Sequence, residues 1–131
     1  MEIVAKNSSV ELLGEIGDVS LGELYRNATG LLYPSLYEGF GLPVLEAMAL
    51  SCPVVTSRLT SIPEVGGKAV VYVDPLDIQS IAAGIRSIAL DNDLRRQLIA
   101  SGVKQAGQFT WEKCAAGIRD TYCRVLRGKT S

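Results

Sequence analysis

The sequence predicts an α/β protein with an open parallel sheet and helices on both faces of that sheet. Residues 30–33 (GLLY), 53–57 (PVVTS) and 69–73 (AVVYV) are short, mainly apolar runs without alternating polar residues. Such runs are typical of strands that are buried on both faces, as in parallel sheets. Helical segments lie between and after them, so each strand can return parallel to the one before. The length of 131 residues corresponds to one domain.

The first elements precede and include the run at 30–33. Residues 10–16 (VELLGEI) are an apolar run with β-forming residues, which predicts a strand. Ser20 is followed three residues later by Glu23, a capping box that predicts the start of a short helix ending at Asn27. The run at 30–33 is stopped by Pro34, which predicts a buried strand.

The later elements alternate in the same way. Pro43 fits the first turn of a helix, which we expect to end at Ala49 or Leu50. Residues 74–77 (DPLD) are typical of a helix start, and we expect Asp93 to cap the following helix. The apolar positions at helical spacing in these two helices are Ile78, Ile81, Ala82, Ile85, Ile88, Ala89, Leu94, Leu98 and Ile99.

The last helix carries one apolar stripe, which is either a docking surface or part of the core. We expect ordinary core for most of it, and fraying of residues 127–131. The stripe consists of Trp111, Cys114, Ala115, Ile118, Tyr122, Val125 and Leu126.

Composition argues against several classes of function. The 13 basic and 14 acidic residues are balanced, so we expect no nucleic-acid partner. No apolar run approaches the ~20 residues that span a bilayer, and we expect no signal peptide at the N-terminus. Three cysteines without a C-x-x-C pair, and no histidine, argue against zinc fingers, Ser-His-Asp triads and Cys-His proteases. Such cysteine use fits a reducing compartment, and we expect no metal site.

Residues 37–48 (YEGFGLPVLEAM) suggest a ligand site, because they lie where the strand at 30–33 gives way to a helix. Gly39 and Gly41 permit unusual turns and close approach to the backbone. The amides of Val44 and Leu45 are expected to be free at the positive end of the helix. A glycine turn that leads into a helix N-terminus is typical of a phosphate site.

The two carboxylates of this segment suggest sugars on either side of the phosphate. Glu46, about one turn into the helix, is placed to bind a ribose diol, and Glu38 to bind hydroxyls of a second sugar. Together these groups describe a nucleotide sugar. The alternatives are that Glu46 only complements the helix dipole and that Glu38 is only a solvated loop residue.

The stretch EGFGLPVLEAMA resembles the signature of retaining GT-B glycosyltransferases, in which two glutamates flank seven residues. The resemblance is greatest to the group with bacterial mannosyl-, glucosyl- and galactosyltransferases and glycogen synthases. It continues through LYRNATGLLYPSLYEGFGLPVLEAMALSCPVV, IPEV, VDPLD and FTWEKCA, from about Val10 to Leu126. It implies a Rossmann-like sheet and transfer of a hexose from a nucleotide-diphosphate sugar, without a further cofactor and usually without a metal.

The resemblance also implies roles for individual residues. Glu38 would contact the donor sugar and help to stabilise charge during transfer, and Glu46 would bind the ribose. The backbone of Gly39, Phe40 and Gly41 would face the sugar and diphosphate. The residues implied to line or hydrogen-bond the nucleotide and phosphate are Leu42, Val44 and Leu45.

The sequence departs from the family pattern in two places. Residues 1–126 resemble only part of a donor-binding GT-B C-terminal domain; its first strand, the basic pair that follows it and the N-terminal acceptor domain are apparently missing. We therefore expect little transferase activity from this chain alone, and self-association through the surface that the acceptor domain would cover. Where glycines are common before IPEV, Thr60 and Ser61 either supply hydroxyls to the nucleotide or shape the loop. Tyr37 either flanks the ligand or packs against the protein.

The leading hypothesis is the nucleotide-sugar-binding half of a hexosyltransferase. One alternative is a non-catalytic nucleotide-sugar or partner-binding module with the same fold. The other alternative is a GT-B sugar-nucleotide epimerase, but residues 38–49 resemble the epimerases less than the transferases. The intact enzyme is expected in the cytoplasm, either free or peripherally bound at the inner membrane.

Overall fold

The computed structural model describes residues 9–128, in which three strands alternate with helices before two further helices complete the chain. The elements in chain order are α1 (Asp18–Asn27), β1 (Leu31–Tyr33), α2 (Leu42–Ala49), β2 (Val54–Ser57), α3 (Ile62–Gly66), β3 (Val71–Val73), α4 (Ile78–Leu90), α5 (Asn92–Ala106) and α6 (Trp111–Gly128).

The three strands form one parallel sheet in the order β1-β2-β3. Leu31 is paired with Val54, and Val55 with Val71, so successive strands lie side by side. All four residues of β2 are buried, whereas β1 and β3 at the two edges are partly exposed. The predicted parallel α/β sheet is confirmed, and full burial applies to its central strand.

Apolar clusters cover both faces of the sheet, because neighbouring residues of β2 point in opposite directions. Val54 joins a cluster with residues of α1, α2 and α3, which include Tyr25, Met48 and Ile62. Val55 joins a second cluster, formed by Val73, Ile88 and Leu98. The predicted helix layers on both faces are therefore confirmed.

A glycine allows α4 to lie close to the sheet. A Cβ atom at Gly84 would lie 2.5 Å from Cγ1 of Val73 and 2.8 Å from Cγ1 of Val55. Both distances are far below an ordinary van der Waals contact, so only glycine fits at this crossing. The contact fixes α4 against the centre of the sheet.

The start of the chain differs from the prediction in two ways. Residues 10–16 form no strand, because Gly14 has a left-handed φ of 66° and interrupts an extended backbone. Helix α1 begins at Asp18 with Gly17 as N-cap, two residues before the predicted capping box. The carboxylate of Glu23 binds Arg26 at 3.0 Å instead of reaching back to the helix start.

The helices after the sheet begin at aspartates, although one of the two predicted caps is wrong. The side chain of Asp77 accepts from the Gln79 amide at 2.8 Å and caps α4. Asp91, and not Asp93, caps α5 by accepting from the Leu94 amide at 2.8 Å. Helix α3 was not predicted at all, since its five residues are too few to show a period.

Helix α6 contributes no residue to the core, so the expectation that most of its apolar stripe belongs to the core is wrong. It has no buried residue, and its first residue, Trp111, is 83% exposed. The helix continues through Arg127 and Gly128, which were expected to fray, and residues 129–131 lie outside the described part. Within residues 9–128, no helix is long and apolar enough to cross a membrane.

Candidate functional site

The segment between β1 and α2 is tied to β2 at the carboxyl ends of the strands. The Thr56 hydroxyl donates to the carbonyl oxygen of Tyr33 at 2.7 Å, and the Ser57 hydroxyl donates to that of Ser35. Thr56 and Ser57 are themselves fully buried. The loop that carries Glu38 therefore starts from a fixed position on the rim of the sheet, where ligands bind in open α/β folds.

The carboxylate of Glu38 accepts two hydrogen bonds from side chains of its own loop and strand. The Tyr33 hydroxyl donates to Oε1 at 2.5 Å, and the Ser35 hydroxyl donates to the same oxygen at 2.8 Å. These bonds, first that from Tyr33, lower the pKa of Glu38. The hydrogen bond to Glu38 likewise raises the pKa of Tyr33 to about 12. Glu38 is thus an oriented carboxylate, which disfavours the alternative of a solvated loop residue.

The backbone of Glu38 is held from the other side by the loop after β2. Its amide donates to Oγ1 of Thr60 at 3.1 Å, and its carbonyl oxygen accepts from the hydroxyl of Ser61 at 3.0 Å. Thr60 has a left-handed φ of 52°, an uncommon conformation for a residue with a branched side chain. Both hydroxyls contact protein, which favours the interpretation that Thr60 and Ser61 shape the loop.

Four consecutive amides, those of residues 39–42, lie where the loop enters α2. Within the described chain the amides of Gly39, Phe40, Gly41 and Leu42 donate to no acceptor. Amides of this kind at the positive end of a helix are suited to bind an anion. The amides without an acceptor therefore lie earlier in the chain than Val44 and Leu45, where the sequence predicted them.

Val44 and Leu45 are placed differently from the prediction. Their amides donate to the carbonyl oxygen of Gly41 at 3.1 and 3.2 Å, so neither is free. The side chain of Val44 is fully buried, and that of Leu45 packs against the same apolar cluster. The reason is that Pro43 has no N–H and the first turn of α2 closes directly on Gly41.

The two glycines of the loop have different tasks, although the sequence suggested the same task for both. Gly41 is the N-cap of α2 with φ 100°, and a Cβ there would lie 2.7 Å from Cδ1 of buried Ile62. Gly39 is not left-handed, and a Cβ there would meet nothing within 4 Å. Gly41 is therefore required by the fold, whereas Gly39 leaves space above the free amides.

The remaining side chains of the loop are distributed between protein and solvent. The ring of Phe40 packs edge-on against Phe109, with 5.9 Å between the ring centres. Tyr37 is 79% exposed, which contradicts the alternative that it packs against the protein, and Leu42 is also exposed. Tyr37 and Leu42 are thus open to a ligand, while Phe40 connects the loop to the turn before α6.

Glu46 lies on the exposed side of α2, away from the hydrogen bonds that hold Glu38. Its side chain has no hydrogen-bond partner within residues 9–128, and the first turn of α2 contains no acidic residue. A role limited to the helix dipole is therefore disfavoured. Burial raises the pKa of Tyr25, and the charge of Glu46 adds to this rise, so Tyr25 and Glu46 are electrostatic neighbours.

Sequence reasoning missed three hydroxyls: those of Tyr33 and Ser35, which bind the Glu38 carboxylate, and that of Ser57, which binds the loop backbone. The available signal was three hydroxyl residues at the carboxyl ends of two adjacent predicted strands, which must lie at one edge of a parallel sheet. Elsewhere on this edge, a groove of about 420 Å³ is lined by Arg58, Leu59 and residues 72–76. This groove does not include Glu38, which is half-buried, or Glu46, which is exposed.

A sequence profile of the family described as glycosyl transferases group 1 matches residues 3–105, which is most of the chain. The chain belongs to this family. Its strands and helices also follow those of sucrose-phosphate synthase from Thermosynechococcus elongatus, with a TM-score of 0.78 and 29% identity. That likeness covers 91% of this chain and 31% of the synthase. The predicted Rossmann-like GT-B fold is thereby confirmed.

The chain is similar in sequence to proteins with different names. The chain is 44% identical over 113 residues to O-antigen chain mannosyltransferase B of Escherichia coli, covering 86% of this chain and 30% of the relative. It is 31% identical over 125 residues to glycogen synthase of Mycobacterium tuberculosis, covering 92% of this chain and 30% of that protein. The chain therefore spans about 30% of the length of these two relatives.

Proposed function

We propose that this chain is the donor-binding part of a retaining glycosyltransferase, which transfers a hexose from a nucleotide-diphosphate sugar to an acceptor. The observation that carries the proposal is the row of four free amides at residues 39–42, with Glu38 before it and Glu46 after it. The amides suit a diphosphate, and each carboxylate suits a sugar diol. Membership of the glycosyl transferases group 1 family supports the same reaction class.

Each part of the site has a role in this proposal. Glu46, exposed and without a partner in the described chain, binds the ribose hydroxyls. The amides and the N-terminus of α2 bind the diphosphate and stabilise the negative charge that develops as it departs. Glu38, oriented by hydrogen bonds, contacts the transferred sugar and helps to stabilise its positive charge. In this scheme positive potential comes from the protein, and we propose that no metal ion is required.

We propose that the acceptor binds to a further domain, because this chain forms only one side of the proposed site. Glu46 and the apolar stripe of α6 are exposed, and Glu38 is half-buried. The chain spans about 30% of the length of O-antigen chain mannosyltransferase B, so an intact protein of that length could also contain such a domain. We propose that it covers α6, that the isolated chain transfers little sugar, and that exposed α6 promotes self-association.

The exposed thiols of Cys114 and Cys123 support a reducing compartment for the intact enzyme. We therefore propose a cytoplasmic location, either free or at the inner membrane. Fractionation of cells that express the tagged intact protein tests this, and recovery in a secreted fraction would contradict it.

Calorimetric titration of this chain with UDP, GDP, ADP and their sugar conjugates tests the donor site. Glu46→Ala is expected to weaken binding of the preferred nucleotide about tenfold or more, since hydrogen bonds to the ribose diol are lost. Glu64→Ala is the matched control, because Glu64 is another exposed helical glutamate and lies on α3. Equal affinity of the Glu46 variant and the parent chain would refute the ribose role.

A second experiment separates the transferase from a non-catalytic module. In the intact protein, Glu38→Ala is expected to lower turnover more than nucleotide affinity, because its contact strengthens as charge develops on the sugar. A chelator should leave the rate unchanged, and the product should keep the anomeric configuration of the donor. Nucleotide-sugar binding without transfer to any acceptor would favour the non-catalytic module.

A further inference from the structure

The contacts of Glu38 indicate how its carboxylate is kept in one orientation. Both side-chain bonds that it accepts, from Tyr33 and Ser35, end on Oε1. Each carboxylate oxygen can accept two hydrogen bonds, so this oxygen is saturated. Oε2 accepts none from residues 9–128, and its lone pairs are available to a ligand.

The stronger of the two donors is itself rigidly placed. Tyr33 is the last residue of β1, its ring packs against the apolar cluster around Met48, and its carbonyl oxygen accepts from Thr56. Its hydroxyl therefore has little freedom to follow a moving carboxylate. Ser35 is also held, because its amide donates to the Tyr33 carbonyl oxygen at 2.9 Å.

The bond from Tyr33 is not needed to hold the loop itself, whereas the Ser35 hydroxyl also donates to the Tyr37 carbonyl oxygen at 3.2 Å. The backbone of Glu38 is bound by Thr60 and Ser61, and the backbone of Ser35 is bound by Ser57. The loop would thus keep its path without the Tyr33 hydroxyl. What this hydroxyl adds is the position and the ionised state of one carboxylate.

We propose that Tyr33 and Ser35 are positioning residues, which hold Oε1 of Glu38 so that Oε2 accepts hydrogen bonds from the hydroxyls of the donor sugar. This inference rests on the proposed function, since it names the ligand of the same site. Neither hydroxyl needs to touch the sugar. A carboxylate that is fixed before binding loses less conformational freedom when the sugar arrives, which favours binding of the sugar over binding of the bare nucleotide.

A titration of the ligand-free chain tests the positioning directly. The side-chain carboxyl carbon of Glu38 is followed by ¹³C NMR in the parent chain, Tyr33→Phe and Ser35→Ala. We expect the pKa of Glu38 to be low in the parent chain and to rise in both variants, because each loses a donor to the carboxylate. Tyr72→Phe is the matched control, since the Tyr72 hydroxyl donates to the Gly67 carbonyl oxygen instead. An unchanged pKa in Tyr33→Phe, with loop amide shifts preserved, would overturn the proposal.

A binding experiment then separates this inference from the proposed function. The readout is the affinity for the nucleotide sugar divided by that for the nucleoside diphosphate. Tyr33→Phe is expected to lower this ratio about two- to tenfold while the diphosphate affinity stays constant. If the parent chain binds both ligands and the ratio is unchanged in the variant, the positioning role is refuted and the proposed function stands. If a folded parent chain binds neither ligand, the proposed function and the sugar as the ligand of Oε2 both fail.

Discussion

Replacing Gly41 by alanine tests how the loop is built. Gly41 caps α2 at φ 100°, a conformation that residues with a Cβ atom rarely adopt. A Cβ atom there would also lie 2.7 Å from Cδ1 of Ile62, a fully buried side chain whose terminal methyl would have to shift within the core. Gly41→Ala therefore introduces backbone strain and a steric clash together.

The expected cost follows from these two contributions. A left-handed conformation costs a residue with a side chain about 1–2 kcal/mol, and overpacking of a core costs about 1–3 kcal/mol. Their sum, about 2–5 kcal/mol, is a large part of the ~5–15 kcal/mol by which domains are stable. For a chain of this size the melting temperature should fall by roughly 10–20 °C.

Urea unfolding followed by circular dichroism measures this cost, and Gly39→Ala is the matched control. Gly39 is two residues away in the same loop, its φ is not left-handed, and a Cβ there would contact nothing within 4 Å. Its free energy of unfolding should change by less than about 0.5 kcal/mol. Equal losses of unfolding free energy in the two variants, or no loss in Gly41→Ala, would refute the conclusion that the fold requires glycine at position 41 but not at position 39.

Other properties of the chain can be tested in the same way. Between about pH 10 and 12 the folded state keeps the Tyr33 proton while the unfolded state loses it, so stability should fall as the pH rises; Tyr33→Phe should remove this part of the slope in urea unfolding. Asp77→Ala should cost about 1 kcal/mol of unfolding free energy through the lost cap of α4, and full stability would show that the cap is dispensable. Ile118→Glu on α6 should lower the concentration-dependent mass in light scattering, whereas Val103→Glu, at an exposed apolar residue of α5, should not. An equal mass for parent chain and Ile118 variant would exclude α6 as the contact.

The sheet could be predicted from the sequence because its strands have a strong local signal. Residues 53–57 begin with an apolar run, follow a proline-started helix and precede another apolar run, and residues 54–57 form the buried central strand β2. The wrong strand at 10–16 has similar composition, but Gly14 interrupts it and the described sheet has no partner for it. Composition alone cannot distinguish these two cases, because a strand is stabilised by its neighbours.

The residues of the candidate site could be predicted from the sequence more fully than the hydrogen bonds that they form. The glycine loop, the helix at Pro43 and both glutamates could be identified along the chain. The amides of Val44 and Leu45 donate to the Gly41 carbonyl oxygen, which depends on how tightly the first turn of α2 closes. The Tyr33–Glu38 bond depends on a reversal of the chain over five residues. Neither feature has a sequence period, so neither could be predicted without coordinates.

The exposed stripe of α6 illustrates a different limit. Its residues have the spacing of a buried helix face, and the sequence cannot indicate whether the covering surface lies in the same chain segment. Within residues 9–128 no element buries any residue of this helix. The apolar pattern was identified correctly, and only its partner was assigned wrongly.

The proposed donor site requires that the free amides between Glu38 and Glu46 bind the diphosphate of a nucleotide sugar. Its most direct test is an amide NMR titration of this chain with UDP, GDP, ADP and their sugar conjugates. We expect shifts centred on residues 39–42 and on Glu46 with one preferred nucleotide, and further shifts at Glu38 when the sugar is attached. Shifts centred elsewhere, or none with any of these ligands on a folded sample, would contradict it.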